Sequence, residues 1–263
     1  MIKVLVNGAC GRMGSEVVRT LEVEKELQLI AAVDPQHAGG NLGMLTRTNY
    51  KDIPIYKNLN EALTICVPDV VIDFTTPSII KESAKTVISK GIHMVIGTTG
   101  LTVEDREELS NMVDITGSHV LIAPNFSLGA VLLIKVSAEI AKYMPNTEII
   151  ELHHNHKYDA PSGTAKLTAE KIAEARILTA EKDNTKESLI GARGGKYHDI
   201  TIHSVRLPGY VAHQEVLFGG HGETLTIKPD SLDRKSFMPG VMLAVKNIFK
   251  HPGLVYGLEN YLE

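Results

Sequence analysis

The feature that most constrains this chain is an alternation in its first half. Short apolar, β-branched runs, "IKVLV" (2–6), "LQLIAAV" (27–33), "DVVIDF" (69–74), "HMVIG" (93–97) and "HVLIA" (119–123), take turns with amphipathic stretches. A strand that is apolar on both faces must be covered on both faces, which a parallel sheet between two layers of helices provides. Helices are expected from Gly14 to about Leu21, over 59–66 with Asn58 and Glu61 as a capping box, from Thr76-Pro77 to about Lys90, and after Thr102. The stretch "DPQHAGGNLG" (34–43) reads as a loop. The fold class is therefore α/β, a Rossmann-like doubly wound parallel sheet.

The pattern changes after "APNFSLGA" (123–130). A helix over 128–143, the strand "TEIIELHHN" and a helix over 163–175 are followed by "DITIHSVRL", "HQEVLFG" and "ETLTIKP", three strands with no helix between them. Strands in succession suggest a mixed or antiparallel sheet, hence a second, α+β domain beginning near 125. The charge run "EKDNTKE" (181–187) reads as a solvated loop, and the last helix, about 234–249, fits either domain. At 263 residues the chain has room for both.

A net charge of −4 argues against nucleic acid or an acidic membrane surface as partner, so any anion must be held by a local cluster. No run approaches the ~20 apolar residues that span a bilayer. The N-terminus enters a strand directly, without a basic leader. Two cysteines, Cys10 and Cys66, are too few for a disulfide scaffold. A reducing, cytoplasmic setting is expected.

The first strand leads into "NGACGRMG", with Gly8, Gly11 and Gly14 spaced G-x-x-G-x-x-G. Glycines after a strand allow a tight turn and bring helix N–H groups close to a pyrophosphate. Asp34 ends the second strand 20 positions beyond Gly14 (34 − 14), where an acid accepts from an adenosine ribose. Together these point to a nicotinamide dinucleotide. Pro35, Gln36 and His37 follow the acid, and only His37 could meet a 2′-phosphate, so NADH is expected to serve at least as well as NADPH. "FTTP" (74–77), "GTTG" (97–100) and "APNF" (123–126) close later strands, at the edge where open α/β sheets bind ligands.

The second concentration of chemistry is "ELHHNHKYDAPSGTA" (151–165). In a continuing strand His154 and His156 would share a face and His153 would point away. An H-x-H pair with Lys157 alongside falls short of a zinc site, and no metal is expected. An anion site explains more. Lys157 brings a fixed positive charge, Ser162, Gly163 and Thr164 open a helix, and a histidine can donate a proton near neutral pH. A nicotinamide site plus a proton-donating anion site implies reduction of an anionic, unsaturated small molecule.

"NGACGRMG", "FTTP", "GTTG", "APNFSLG" and above all the "ELHHNHKYDAPSGTA" string resemble the 4-hydroxy-tetrahydrodipicolinate reductases, also called dihydrodipicolinate reductases, over residues 2 to about 250. The resemblance implies that Gly8, Ala9, Cys10, Gly11, Arg12 and Met13 line the pyrophosphate and that Asp34 meets the ribose. It places Gly97, Thr98 and Thr99, with Ala123, Pro124, Asn125 and Phe126, by the nicotinamide. It makes His153 the proton donor and Lys157 the second catalytic residue, with His154, Gly163 and Thr164 holding the carboxylates of a small dicarboxylate. It further implies that residues 1–125, completed by 234–263, bind the dinucleotide. Residues 126–233 would bind substrate and join four copies into a homotetramer. The chain departs from the family pattern at Pro35, where a basic residue often stands, and at Pro229, where a histidine is expected.

The implied reaction is NAD(P)H-dependent reduction of 4-hydroxy-tetrahydrodipicolinate in diaminopimelate and lysine biosynthesis, with hydride to C4. Hinges at "APNF" and near 232–236 would join the two ends. Two rivals are another two-domain nicotinamide dehydrogenase and a non-catalytic nucleotide-sensing module. A thioester-forming dehydrogenase would need a cleft cysteine. Cys10 lies in the glycine loop and Cys66 at a helix end, so neither fits.

Overall fold

In the computed structural model, which describes residues 1–262, the chain forms two units: Met1–Phe126 with the segment from Phe237 onward, and Ser127–Ser236. The first unit runs β1 (Ile2–Asn7), α1 (Arg12–Val23), β2 (Leu27–Val33), α2 (Leu42–Thr46), β3 (Ile55–Tyr56), α3 (Leu59–Ile65), β4 (Val70–Asp73), α4 (Ile80–Ile88), β5 (His93–Ile96), α5 (Val103–Thr116) and β6 (Val120–Ile122). The second runs α6 (Leu128–Ala141), β7 (Asn146–His153), α7 (Gly163–Ala175), β8 (Gly195–Tyr197), β9 (Ile200–Arg206), β10 (Ala212–Gly220), β11 (Glu223–Ile227) and β12 (Asp230–Ser231). The chain then returns to the first unit as α8 (Met238–Asn247) and β13 (Leu254–Tyr256).

The first sheet has the order β13-β6-β5-β4-β1-β2-β3, with every pairing parallel. Its central strands are buried on both faces, as the apolar runs require: Val4, Leu5, Val6, Val70, Val71 and Ile72 are all 0% exposed. The strand order switches sides between β1 and β4, which flank each other, and so creates the crevice at the strand ends where ligands bind in such sheets. The second sheet, β11-β10-β7-β9-β8, is mixed: β7 pairs parallel with β9 and antiparallel with β10. Helices α6 and α7 cover it through Leu133, Ala165, Ala169 and Ile172, against Ile149, Ile202, Val216 and Phe218.

Local signals fared unevenly. Thr102 and Asp105 form a full capping box on α5. On α3 only half of one forms: Asn58 accepts from the Glu61 amide, but the Glu61 carboxylate turns to the Lys57 amide. Thr76 is not a cap. Its carbonyl accepts from the Ile79 and Ile80 amides in a tightened turn, and α4 begins only at Ile80, without a side-chain cap. The stretch expected to be one loop ends in α2, capped by Asn41. The strands β3, β8, β12 and β13 are two or three residues long, too short for a period to show. The expected last helix begins late, because Arg234–Phe237 is a 3-10 turn.

The return of α8 to the first unit rests on close packing. A Cβ on Gly240 would stand 2.1 Å from the Phe126 carbonyl oxygen and 2.9 Å from Leu258 Cδ2. The backbone oxygen cannot move aside as a flexible side chain could. Gly240→Ala should therefore destabilise the fold by about 1–3 kcal/mol, read as a lower urea midpoint.

Candidate active site

The glycine loop closes between β1 and α1. Gly8 has φ +82°, and a Cβ there would lie 2.4 Å from the Phe74 carbonyl oxygen. A Cβ on Gly14 would lie 2.0 Å from the Gly8 oxygen, so the helix start and the turn meet backbone to backbone. Ahead of the first helical bond, Ser15 N–H to Gly11 O at 2.9 Å, come the amides of Arg12, Met13 and Gly14, and Gly11 has no side chain to cap them. Uncapped amides and the positive end of α1 suit a pyrophosphate. Ala9 is fully buried, so it can offer such a ligand only backbone.

Asp34, 8% exposed, ties this loop to the end of β2. Its carboxylate accepts from the Cys10 amide (3.2 Å) and the Gln36 amide (3.1 Å), and His37 Nδ1 lies 2.8 Å from it. Burial and the neighbouring Asp34 push the Cys10 thiol up to about 12, which leaves it protonated and a poor nucleophile. Cys10, Asp34 and His37 also form a group of three metal-ligand types, with atoms within 4.8 Å of one another. Their mutual hydrogen bonds account for that proximity.

The strand ends "FTTP", "GTTG" and "APNF" meet in one place. The Phe74 ring lies 5.8 Å from that of Phe126, and it occupies the space above Gly97, where a Cβ would meet it at 2.1 Å. Beneath them sits Asp73, fully buried. One carboxylate oxygen accepts from the hydroxyls of Thr98 (2.7 Å) and Thr75 (2.7 Å), the other from the Asn7 amide nitrogen (2.6 Å). Burial raises the Asp73 carboxyl, and these hydrogen bonds only partly offset it. Thr98, 7% exposed, thus commits its hydroxyl to Asp73 and to the Thr75 amide (2.7 Å). What it can present to a ligand is backbone. Thr99 and Pro124 are exposed and Asn125 partly so.

The histidine segment is arranged differently from the strand reading. β7 stops at His153, and His154 and His156 lie beyond it, exposed, with ring centroids 6.2 Å apart. His153 instead shares a strand face with Glu151 and the core residue Ile149. Glu151 is 0% exposed. It accepts from His153 Nδ1 at 2.5 Å, from both terminal nitrogens of Arg206 at 2.9 and 2.7 Å, and from the Ser162 amide at 3.3 Å. Burial would raise its carboxyl, but the hydrogen bonds from His153 and Arg206 outweigh that and hold it at about 2. An ionised carboxylate can only accept, so His153 carries a proton on Nδ1.

Ser162 caps α7, its hydroxyl accepting from the Ala165 amide at 3.2 Å, and Gly163 and Thr164 open the first turn. Nothing lies within 4 Å of where a Gly163 Cβ would be. Lys157 Nζ donates to Asp159 at 2.6 Å, and Arg206 donates to the Asp159 carbonyl at 2.7 Å. Lys157 and Arg206 thus both bring positive charge to this segment, each paired with a carboxylate.

Comparison with known proteins shows the family of the chain. The dihydrodipicolinate reductase N-terminal family model matches residues 2–126, and the C-terminal model matches residues 129–262. The chain belongs to the dihydrodipicolinate reductase family. A 4-hydroxy-tetrahydrodipicolinate reductase of Listeria welshimeri is 47% identical, with all of both chains covered. One of Geobacillus thermodenitrificans is 48% identical, over all of this chain and 99% of the other. The solved dipicolinate-bound dihydrodipicolinate reductase of Paenisporosarcina sp. TG-14 superposes with a TM-score of 0.89 at 42% identity, covering all of both chains. This member of the dihydrodipicolinate reductase family is a nicotinamide-dependent oxidoreductase. No helix among the described residues is long and apolar enough to cross a membrane.

Sequence reasoning missed Glu151, Arg206 and Asp73. For Glu151 a signal existed: it lies two residues before His153 in a strand, hence on the same face. Glu151 also generates a prediction. Its folded-state carboxyl, at about 2, lies below the ordinary glutamate value of 4.5. It therefore adds stability that is present above about 4.5 and lost as pH falls toward 2. In urea melts across that window Glu151→Gln should show a shallower acid loss than the parent.

Proposed function

We propose that the chain reduces 4-hydroxy-tetrahydrodipicolinate to tetrahydrodipicolinate, in diaminopimelate and lysine biosynthesis. The observation that carries the reading is the grouping of His153, Arg206 and the α7 start around one buried, ionised Glu151, with Lys157, paired to Asp159, in the same segment. It is supported by family membership and by the relative whose structure holds dipicolinate, a ring dicarboxylate.

The first unit fits a dinucleotide: uncapped amides at α1, a turn with no room for side chains at Gly8 and Gly14, and Asp34 at the end of β2. When bound, the reduced nicotinamide supplies the hydride. Gly8 to Met13 hold the pyrophosphate by backbone, and Asp34 accepts from the ribose. Gly97, Thr98 and Thr99, with Ala123 to Phe126, shape the nicotinamide end. The Asp34 carboxylate would repel a 2′-phosphate, and Pro35 adds no cation beside it, so NADH serves at least as well as NADPH.

In the second unit Lys157, His154, Ser162, Gly163 and Thr164 receive the two carboxylates. Helix amides and a lysine suit this task, because both carry fixed positive character without needing to titrate. The ring loses its 4-hydroxyl as water and accepts hydride at C4. His153 gives a proton to the resulting enamine, so the atoms balance as substrate, hydride and one proton to product and water. The reading includes a homotetramer in the cytoplasm, checked by sedimentation and by cell fractionation.

The test is a coupled assay in which an upstream synthase makes the unstable substrate from pyruvate and aspartate semialdehyde. NADH oxidation should require both proteins and run at least as fast as NADPH oxidation; absence of either dependence overturns the reading. His153→Gln should lower turnover by about 10²–10⁴ with the NADH dissociation constant little changed. Lys157→Ala should weaken substrate binding and turnover together. A variant at wild-type rate would remove that residue from its role.

A further inference from the structure

The hydrogen bonds of Glu151 reach further than a salt bridge needs. One carboxylate touches the imidazole of the proposed acid, the backbone of the α7 cap and a guanidinium on a neighbouring strand. The sheet register makes this possible: His153 is paired with Arg206 across the parallel β7–β9 ladder, and Glu151 stands two residues back on the same face. With 0% exposure, Glu151 can trade none of these partners for water.

From this geometry we infer that Glu151, held by Arg206, is the positioning residue for proton delivery: it keeps the proton of His153 on Nδ1, so that Nε2 is the atom that donates. This rests on the reading of His153 as the acid. The doubly protonated imidazole gives up its Nε2 proton to the carbon that accepts it. The neutral ring left behind is the Nδ1–H tautomer, the one Glu151 stabilises. The carboxylate itself gains and loses no proton, because it is ionised before and after the step. Arg206 keeps it turned toward His153 by binding both oxygens, a two-point contact that lysine could not reproduce. The bond to the Ser162 amide ties the acid to the start of α7. A single group thus sets the distance between the proton donor and the proposed carboxylate pocket.

Glutamine at position 151 would invert the arrangement. Its single oxygen can satisfy Ser162 and one Arg206 nitrogen, which turns the amide NH₂ toward His153 Nδ1. His153 must then accept at Nδ1, and its neutral form becomes the Nε2–H tautomer, which cannot donate from Nε2 without leaving an anion.

The experiment compares wild type, Glu151→Gln, Glu151→Asp, His153→Gln and the E151Q/H153Q double variant, each assayed well below its own unfolding midpoint. Imidazole nitrogen shifts are recorded alongside, the His153 signals being those lost in His153→Gln. Expected in Glu151→Gln are a kcat lower by about 10²–10⁴ and KM for NADH within about twofold, with the double variant no slower than His153→Gln. The His153 signals should move from the Nδ1–H to the Nε2–H pattern. Glu151→Asp, which keeps the charge but retracts it by one methylene, should fall between. Wild-type turnover in Glu151→Gln, with His153→Gln impaired, overturns the inference and leaves the acid in place. So does an equal further loss in the double variant, which would mark Glu151 as structural support alone. Wild-type turnover in His153→Gln overturns the acid reading itself and the inference with it.

Discussion

Seven strands running the same way present all their C-terminal ends at one edge of the first sheet, and the chemistry of that unit follows from this constraint. Every loop at that edge must leave a strand and enter a helix or the next segment without blocking its neighbours. Gly8 and Gly14 solve this by letting backbone touch backbone, and Gly97 by giving way to the Phe74 ring. Asp73 ties the ends of β1, β4 and β5 together through Asn7, Thr75 and Thr98. A bulky residue at any of these glycines would push apart loops that pack against one another.

Asp73 and Glu151, both 0% exposed, are handled in opposite ways. Asp73 has only neutral donors around it, and burial wins: its carboxyl is raised. Glu151 has a guanidinium and an imidazole, and its carboxyl is held at about 2. Burying an ion pair seldom adds much net stability, because desolvation offsets most of the attraction. Removing one partner is a different matter, since the remaining charge stays buried and unpaired. An arrangement of this kind favours geometric definition over raw stability. The proton delivery proposed for His153 would require that definition, because misplacement by an ångström is costly to rate.

Much of this was legible in the residues. The five apolar runs announced a parallel sheet, the glycine spacing announced the tight turn between β1 and α1, and the succession of strands from 199 announced a mixed second sheet. Those signals are local, or repeat over enough residues for a period to emerge. The string around His153 carried the family. The short strands escaped because two or three residues carry no period, and Thr76 misled because a hydroxyl before proline resembles a cap whether or not the helix starts there.

What the sequence determined by itself is the kind of fold, the loops at which it turns and the family to which the chain belongs, because these rest on patterns contained within single segments. What only the tertiary structure decided is which groups touch. Arg206 lies 55 positions from Glu151 and reaches it through the register of two parallel strands. Thr98 lies 25 positions from Asp73 and turns its hydroxyl inward to meet it. The return of α8 to the first unit depends on the absence of a side chain at Gly240. Sheet register and close packing are set by the summed energies of many distant residues, and no stretch of chain read alone contains them.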